Sequence, residues 1–229
     1  LVDQNVSIPL LTNRTANQIL VANLPPGIEL NASGWNLSGT PITIGTFVSS
    51  FETSNAAGSL TKDILFEVKD FRPWIYGADI NFVGYNENAE IADFPVYVEL
   101  NSSIPGFSYE QFASPYGHDL RFLTADGKTE LAYEPIEWNP TGTSSFWVLL
   151  KQLDNNTSIR AIWGNPNYGD VPNYTKDGSV WGKYRAVWHM DSDDPELIRD
   201  SRSSFHATPF NIEDLRTTGV IGKAVSFDG

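Results

Sequence analysis

The sequence predicts an all-β protein made of tandem β-sandwich modules. In several short stretches apolar and polar side chains alternate, which is the period of a strand with one buried face. Gly, Pro and Asn recur between these stretches, as expected for the turns that join short strands. Few segments have a helical period, so we expect antiparallel strands with little helix.

The clearest strands lie in the middle of the chain. Residues 94–100 alternate, and their even-numbered members are all apolar and are predicted to share one buried face. Asp126-Gly127 follows the strand-like stretch 120–124 and can supply the positive φ of a tight hairpin turn. The chain then returns through a strand from Leu131 to Trp138. Two further strands are predicted at 146–150 and 159–163.

The first module is predicted to span residues 1–70. Its Leu24–Leu30 (LPPGIEL), Leu37–Pro41 (LSGTP) and Gly45–Phe47 (GTF) segments resemble the immunoglobulin-like, cadherin-like repeat of microbial surface proteins. The resemblance covers nearly all of this module. It implies a small β-sandwich of a kind that serves as a spacer or adhesion element.

The second module, residues 71–169, contains a series of strand-like segments rich in aromatic residues. They are Trp74–Tyr76, Phe94–Val96, Asp119–Phe122, Tyr133-Glu134, Trp138, Phe146–Val148 and Trp163–Asn165. In this order they are similar to a domain family of unknown function, which occurs in exported bacterial and archaeal proteins, commonly just before a concanavalin-A/laminin-G-like domain. The resemblance implies a β-rich sandwich and a genomic context, and it carries no activity.

The last stretch, residues 170–229, contains the segments Tyr184–Asp191, Asp200-Ser201, His206 and Gly219–Gly229. These segments resemble the beginning of a laminin-G-like jelly roll, preceded by a linker. Only about the first third of such a domain is present, so we expect its strands to be completed by a neighbour or by further chain. The turn of the family is altered at 200–205, which weakens the transfer of a calcium site.

Composition excludes several classes of function. The net charge of −13 argues against nucleic-acid binding and against an anionic membrane surface. The chain has no cysteine, so disulfides, thiolate nucleophiles and Cys-ligated zinc are excluded. No apolar run approaches the roughly 20 residues of a membrane span, and no direct membrane insertion is expected. The first residue is Leu, so we expect a piece of a longer exported protein.

Asn-x-Ser/Thr triplets are dense and favour an extracellular, cell-surface location. Such triplets accept glycans only outside the cytosol, although chance can also produce them in a protein rich in Asn, Ser and Thr. The candidate glycosylation sites are Asn5, Asn13, Asn31, Asn36, Asn101, Asn155, Asn156 and Asn173.

An acidic loop is the candidate metal site. Asp191, Asp193 and Asp194 lie close in sequence, and calcium takes six to eight oxygen ligands. The spacing is not that of an EF-hand, so a solvated acidic loop is the favoured interpretation and calcium binding the alternative. No other cofactor is expected.

The sequence favours a protein that is not an enzyme. Glu130 and Glu134 would share one strand face, with Glu137 on the other, and a charged solvent face explains them as well as a catalytic pair does. The histidines are far apart in sequence, and no Gly-x-Ser-x-Gly elbow is present. They are His118, His189 and His206.

Aromatic residues offer a candidate glycan site. Trp181, Tyr184 and Trp188 cluster near the start of the third module, where exposed rings would stack on sugars. Core packing is the alternative interpretation, and it is favoured for Trp138, Trp147 and Trp163. Trp35, in a turn rich in Gly, Asn and Ser, is expected to be exposed.

These observations favour an extracellular structural or adhesive protein of the cell surface. Its expected partners are copies of itself or other surface proteins, and exposed sheet edges would allow self-assembly into a filament or layer. The alternative is a carbohydrate-binding accessory region of a polysaccharide-active exported enzyme.

Overall fold

The computed structural model describes residues 1–2, 4–10, 16–33, 35–83, 85, 89–191, 194, 196–210 and 212–227, with the backbone alone for residues 213–216. Its contacts divide the chain into two compact units, Leu1–Arg72 and Pro73–Gly229. The first unit thus extends two residues beyond residue 70, where the first module was predicted to end. The remaining residues of the second predicted module and all residues of the third lie in the second unit.

The prediction of an all-β, sandwich-type fold is confirmed. All strand pairs are antiparallel, and within the described residues the only helical elements are three short 3₁₀ turns. No helix in the part of the chain that the structure describes is both long enough and apolar enough to span a membrane.

The first unit is a sandwich of two small sheets. Its strands are β1 (Val6–Pro9), β2 (Gln18–Ala22), β3 (Ile28–Asn31), β4 (Asn36–Gly39), β5 (Gly45–Asn55) and β6 (Gly58–Val68). One sheet has the order β1-β4-β3 and the other β2-β5-β6. Ile28 and Leu37 from the first sheet pack against Ile19 and Phe51 from the second, and these four side chains form the core.

The two turn motifs of the first unit lie against each other. The N–H of Thr40 donates to the carbonyl of Gly27 at 2.9 Å, and the N–H of Ile42 donates to the carbonyl of Pro26 at 3.0 Å. A Cβ on Gly27 would lie 2.0 Å from the Thr40 carbonyl oxygen, and one on Gly39 2.2 Å from that of Gly27. Glycine is required at both positions because backbone meets backbone there.

The β5–β6 hairpin is much longer than the sheet that covers it. Eleven residue pairs join its strands, from Gly45↔Val68 to Asn55↔Gly58. The strands of the covering sheet have four residues each. At about 3.3 Å per residue a four-residue strand spans only a third of such a hairpin. As a result Leu60 and Ile64 face inward and yet remain 70% and 36% exposed.

The second unit is built around a larger sandwich. Its strands are β7 (Tyr76–Asn81), β8 (Ile91–Leu100), β9 (Arg121–Thr124), β10 (Glu130–Leu131), β11 (Tyr133–Glu137), β12 (Ser144–Leu153), β13 (Ser158–Trp163), β14 (Ile212–Thr218) and β15 (Lys223–Phe227). One sheet has the order β10-β9-β13-β7 and another β11-β12-β8. β14 and β15 form a separate two-stranded sheet.

The core of the second unit lies between its two larger sheets. The predicted alternation of β8 is confirmed at Val96, Val98 and Leu100, which are at most 8% exposed. They pack with residues of the facing strands, among them Phe122 and Ala161. The predicted Asp-Gly hairpin is also confirmed, since Glu130 pairs with Leu123 and Leu131 with Phe122.

An aromatic cluster closes one part of this core. The ring of Trp163 is 5.2 Å from that of Phe107 and 5.7 Å from that of Phe112, measured between centroids. Its indole N–H donates to the Gln111 side chain at 3.0 Å. Gln111 ends the 3₁₀ turn Tyr109–Gln111, which Ser108 caps. The Trp163 side chain thus helps to tie this loop to the sheet.

Residues 170–229 form an irregular segment followed by the β14–β15 hairpin. The segment contains the 3₁₀ turns Asn173–Thr175 and Ser179–Trp181. Isolated bridges join Trp188 to Asp200 and Ile198 to Ala207.

Two expectations about local structure are wrong. The predicted strand Leu131–Trp138 is broken after Leu131, so β10 and β11 belong to different sheets. Trp35, expected to be exposed, is half-buried against the core of the first unit, with its backbone at φ +48°. The surrounding strands bring apolar partners to this ring, which its sequence neighbours do not indicate.

We expect Leu37→Ala to destabilise the first unit by about 2–5 kcal/mol, because Leu37 is fully buried between the two sheets. Leu20→Ala is the matched control, since Leu20 is 54% exposed on β2 and its truncation should cost under about 0.5 kcal/mol. Urea unfolding followed by circular dichroism measures both. Equal effects of the two changes would contradict the packing described.

Candidate functional site

The candidate site lies on the outer face of β11 and β12, where the segment 170–210 crosses it. Side chains alternate along β11, so Tyr133 points into the core and Glu134 points away from it. Glu134 is directly opposite Trp147 on β12. Glu134 therefore lies beside a large apolar side chain on this face.

The Glu134 carboxylate is hydrogen-bonded to three side chains of the crossing segment. Trp181 Nε1 donates to Oε2 at 2.7 Å, and Ser201 Oγ donates to Oε1 at 3.0 Å. His189 Nε2 lies 2.8 Å from Oε1. We call Glu134, Trp181, His189 and Ser201 the Glu134 cluster. The Glu134 side chain is only 16% exposed, so these bonds are shielded from water.

The environment of Glu134 favours its charged form. Burial raises the pKa of a carboxyl, but hydrogen bonds from His189, Trp181 and Ser201 outweigh it and hold the pKa of Glu134 below its ordinary value. A buried carboxylate with several donors is a strong anchor because charge-assisted bonds are the stronger ones.

Apolar packing reinforces the same contact. Trp181 is 5% exposed, and its ring centroid is 5.4 Å from that of Trp147 in an edge-on arrangement. Val180 and Leu149 are buried beside it. Among the predicted glycan residues, Trp181 is thus covered by Trp147, Tyr184 and His189.

The other two predicted glycan residues are exposed. Tyr184 is 42% and Trp188 39% exposed. The indole N–H of Trp188 donates to the Phe205 carbonyl at 2.8 Å, and the Arg185 guanidinium lies 4.8 Å from the centroid of the Phe205 ring.

Glu130 anchors the crossing segment at a second point. Its carboxylate is 3.3 Å from Arg121 Nε and accepts a short hydrogen bond from the Tyr174 hydroxyl. Burial, together with the charge of Glu130, raises the pKa of Tyr174 well above its ordinary value, so the phenol keeps its proton and donates. Burial also raises the pKa of Tyr133 to about 12.

The sequence interpretation of these two carboxylates needs correction. Glu130 and Glu134 do not share a strand face, because the break after Leu131 places them on strands of different sheets. Each one also has its own internal partners. Glu137, on the same strand as Glu134, is exposed. The prediction that it lies on the other face is wrong, because a register shift after Pro135 places Glu137 opposite Ser145, on the same face as Glu134.

Asp200 organises the loop that carries Ser201, and its role was missed from the sequence. Its buried carboxylate accepts from the backbone N–H of Val187, Arg202, Ser204 and Phe205 at 2.8–3.1 Å. Burial raises the pKa, but these four donors outweigh it and lower the pKa of Asp200 to about 2. No spacing rule in the sequence signals an acid that bonds backbone groups of its own loop.

The predicted calcium loop is only partly described. Asp193 lies outside the described residues, Asp191 is exposed, and Asp194 Oδ1 accepts from the N–H of Glu196 at 2.9 Å. Within the described residues no group of three or more His, Asp or Glu side chains is arranged to hold a metal ion.

The three histidines have unrelated partners. His189 contacts Glu134, His206 Nδ1 accepts from the N–H of Asp200 at 3.1 Å, and His118 lies beside Tyr116 and Tyr168.

Most predicted glycosylation sites are accessible. Asn13 lies outside the described residues, and Asn36 and Asn101 are half-buried. The exposed sites are Asn5, Asn31, Asn155, Asn156 and Asn173.

The geometry of the Glu134 cluster differs from that of a catalytic triad. In a catalytic triad the imidazole stands between the serine and the acid, takes the serine proton and is oriented by the carboxylate. Here Ser201 and His189 both contact the same oxygen of Glu134. The Ser201 hydroxyl therefore donates its hydrogen bond to the carboxylate, and the cluster attaches the crossing segment to the sheet.

We expect Glu134→Gln to loosen residues 179–201 and to cost about 1.5–3 kcal/mol, because an amide cannot accept from all three donors. Hydrogen exchange read by mass spectrometry should show faster exchange there. Glu137→Gln, on the same strand but exposed, is the control and should leave exchange unchanged. Unaltered protection in Glu134→Gln would show that the cluster is dispensable.

Acid should release the same segment. The pKa of Glu134 is depressed from 4.5 and that of Asp200 from 3.8 to about 2, so both contributions are complete at higher pH and are lost as pH falls through the folded values. Near-ultraviolet circular dichroism of the Trp147–Trp181 pair should follow the loss. Glu134→Gln should change the acid profile, because the contribution of the Glu134 carboxylate is then absent at every pH. An acid profile identical to that of the unchanged chain would contradict this assignment.

Searches against protein-family models, curated proteins and solved structures found no match for this chain. The family resemblances inferred from sequence motifs therefore stay predictions.

Proposed function

We infer that this chain is a structural or adhesive part of an extracellular surface protein and that it assembles with copies of itself. The β5–β6 hairpin is the observation that carries this inference. Its strand β6 is an edge of its sheet within the described chain, and apolar side chains on it are exposed on both faces. Long apolar edges favour pairing with another chain.

The state of the polar groups supports a structural role. Glu130, Glu134 and Asp200 each hold loop or segment groups in place. Asp119 does the same, accepting from the N–H groups of Ala113, Ser114 and Gly164. In the described part of the chain every buried side-chain nitrogen or oxygen has a partner. These carboxylates contribute to stability and are committed to internal bonds.

The accessibility of the candidate glycosylation sites supports a location outside the cell. Five of the eight Asn-x-Ser/Thr sites are exposed, as glycan addition requires. The absence of cysteine leaves stability to packing and hydrogen bonds.

Carbohydrate binding is the second candidate, and a specific observation favours it. Tyr184, Trp188 and Phe205 are each about 40% exposed in one segment of the second unit. The Trp188 ring is held by its bond to the Phe205 carbonyl. Aromatic rings with one exposed face are suited to stacking on sugars.

Sedimentation velocity over a wide range of protein concentration tests the first candidate, and a glycan array tests the second. We expect the sedimentation coefficient to rise with protein concentration. On the array we expect no glycan binding that depends on the Trp188 side chain, so Trp188→Ala should give the same result as the unchanged chain. A monomer at every concentration, together with array binding lost in Trp188→Ala, would favour the carbohydrate-binding function. Trp188→Phe, which keeps an aromatic ring, is the matched control.

A further inference from the structure

The exposed surface of β6 combines an unpaired edge with apolar side chains. In the sheet order β2-β5-β6, one side of β6 bonds to β5, and no strand of the described residues lies on the other. Leu60 is 70% exposed and Ile64 36%, both on the inner face, and Leu65 is 66% exposed on the outer face. Most of the eleven residues of β6 are exposed.

The inner face of β6 borders an apolar cleft. The cleft has a volume of about 890 Å³, and Phe51, Leu60, Ile64 and Phe66 contribute to its walls. Lys62 also lines it, on the same face. The cleft exists because the four-residue strands of the other sheet leave the hairpin partly uncovered.

We propose that β6 pairs in antiparallel fashion with β6 of a second copy, with Ile64 of one copy opposite Ile64 of the other. This proposal rests on the self-assembly inferred above and names the surface and register. An edge strand satisfies its free N–H and C=O groups through another strand, and the new pair extends the sheet across both copies.

Symmetry restricts the register of such a pair. A two-fold axis perpendicular to the sheet keeps the inner faces of both copies on the same side. Such an axis passes between the two strands at one residue, and that residue lies opposite the same residue of the second copy. Three registers pair nine or more residues of β6, and they are centred on Lys62, Asp63 and Ile64. Charge decides among them because like charges directly opposite destabilise a sheet.

Two of the three registers oppose like charges. A pair centred on Lys62 places two ammonium groups opposite, and one centred on Asp63 places two carboxylates opposite. A pair centred on Ile64 joins residues 60–68 of the copies and puts Phe66 opposite Lys62 and Leu65 opposite Asp63. The two Lys62 side chains are then four residues, about 13 Å, apart along the strand.

The same charges explain why the pair would be specific. An edge lysine and a neighbouring acid discourage unrelated or slipped strands, as natural edges commonly do. In the register centred on Ile64, apolar side chains of both copies meet on the inner face. These are Leu60, Ile64, Phe66 and Val68 of each copy.

Single-cysteine variants test the register directly, since the chain has no cysteine of its own. Opposed residues of antiparallel strands have Cα atoms about 4.5–5.5 Å apart, within the range for a disulfide. Under mild oxidation Ile64→Cys should form dimers much faster than Lys62→Cys or Asp63→Cys. Leu20→Cys, exposed on the opposite edge strand of the same sheet, is the matched control.

Sedimentation of Ile64→Lys and Ile64→Val completes the test. The lysine should raise the dissociation constant of the dimer more than about tenfold, because it places two charges opposite each other in an apolar contact. The valine should change it little. Circular dichroism confirms that both variants are folded, which is expected because Ile64 is partly exposed.

The outcomes separate this proposal from the one on which it rests. If the chain self-associates but Ile64→Lys has no effect and Ile64→Cys does not cross-link, the β6 contact is wrong and assembly uses another surface. If the chain is monomeric throughout, both proposals fail. If it is monomeric and an apolar fluorescent dye binds in an Ile64-dependent manner, the cleft takes a small molecule and the β6 contact is overturned.

Discussion

The constraint on which the second unit depends is that the outer face of β11 and β12 needs a cover. Trp147 and Leu149 point out from the core on this face, and exposure of both would place a large apolar surface in water. An irregular segment supplies the cover, with Trp181 packed on Trp147 and bonded to Glu134. Because the segment has little regular backbone pairing of its own, side-chain carboxylates provide the acceptors that strands would otherwise supply.

Four acidic side chains of the second unit hold its segments and loops in place. Glu134 and Glu130 attach the crossing segment to the sheet, and Asp119 and Asp200 close loops by accepting backbone N–H groups. A carboxylate buried in this way is costly unless its oxygens have hydrogen-bond partners, and in the described residues they do. The acidic residues of the chain therefore serve partly to stabilise its fold, in addition to giving its surface a negative charge.

The first unit meets the same constraint only in part. Its short covering sheet buries Leu37 and Phe51, whereas no second layer among the described residues covers the far part of the β5–β6 hairpin. A face of this kind lowers the free energy of the system when a partner covers it. The second unit thus covers its apolar outer face with a segment of its own chain, whereas the first unit leaves part of its apolar surface exposed. This difference is the basis of the proposed assembly.

The sequence by itself determined the all-β class, the alternation of β8 and the Asp-Gly hairpin, because period and turn chemistry are local properties. It also identified Glu130, Glu134 and Trp181 as notable residues. Tertiary structure alone decided what they do: a break after Leu131 separated the two acids, and Trp181 became buried although its local sequence resembles an exposed platform. The physical reason is that hydrogen-bond partners such as His189 and Ser201 lie 55 and 67 residues from Glu134 along the chain, and local patterns contain no information about such distant contacts.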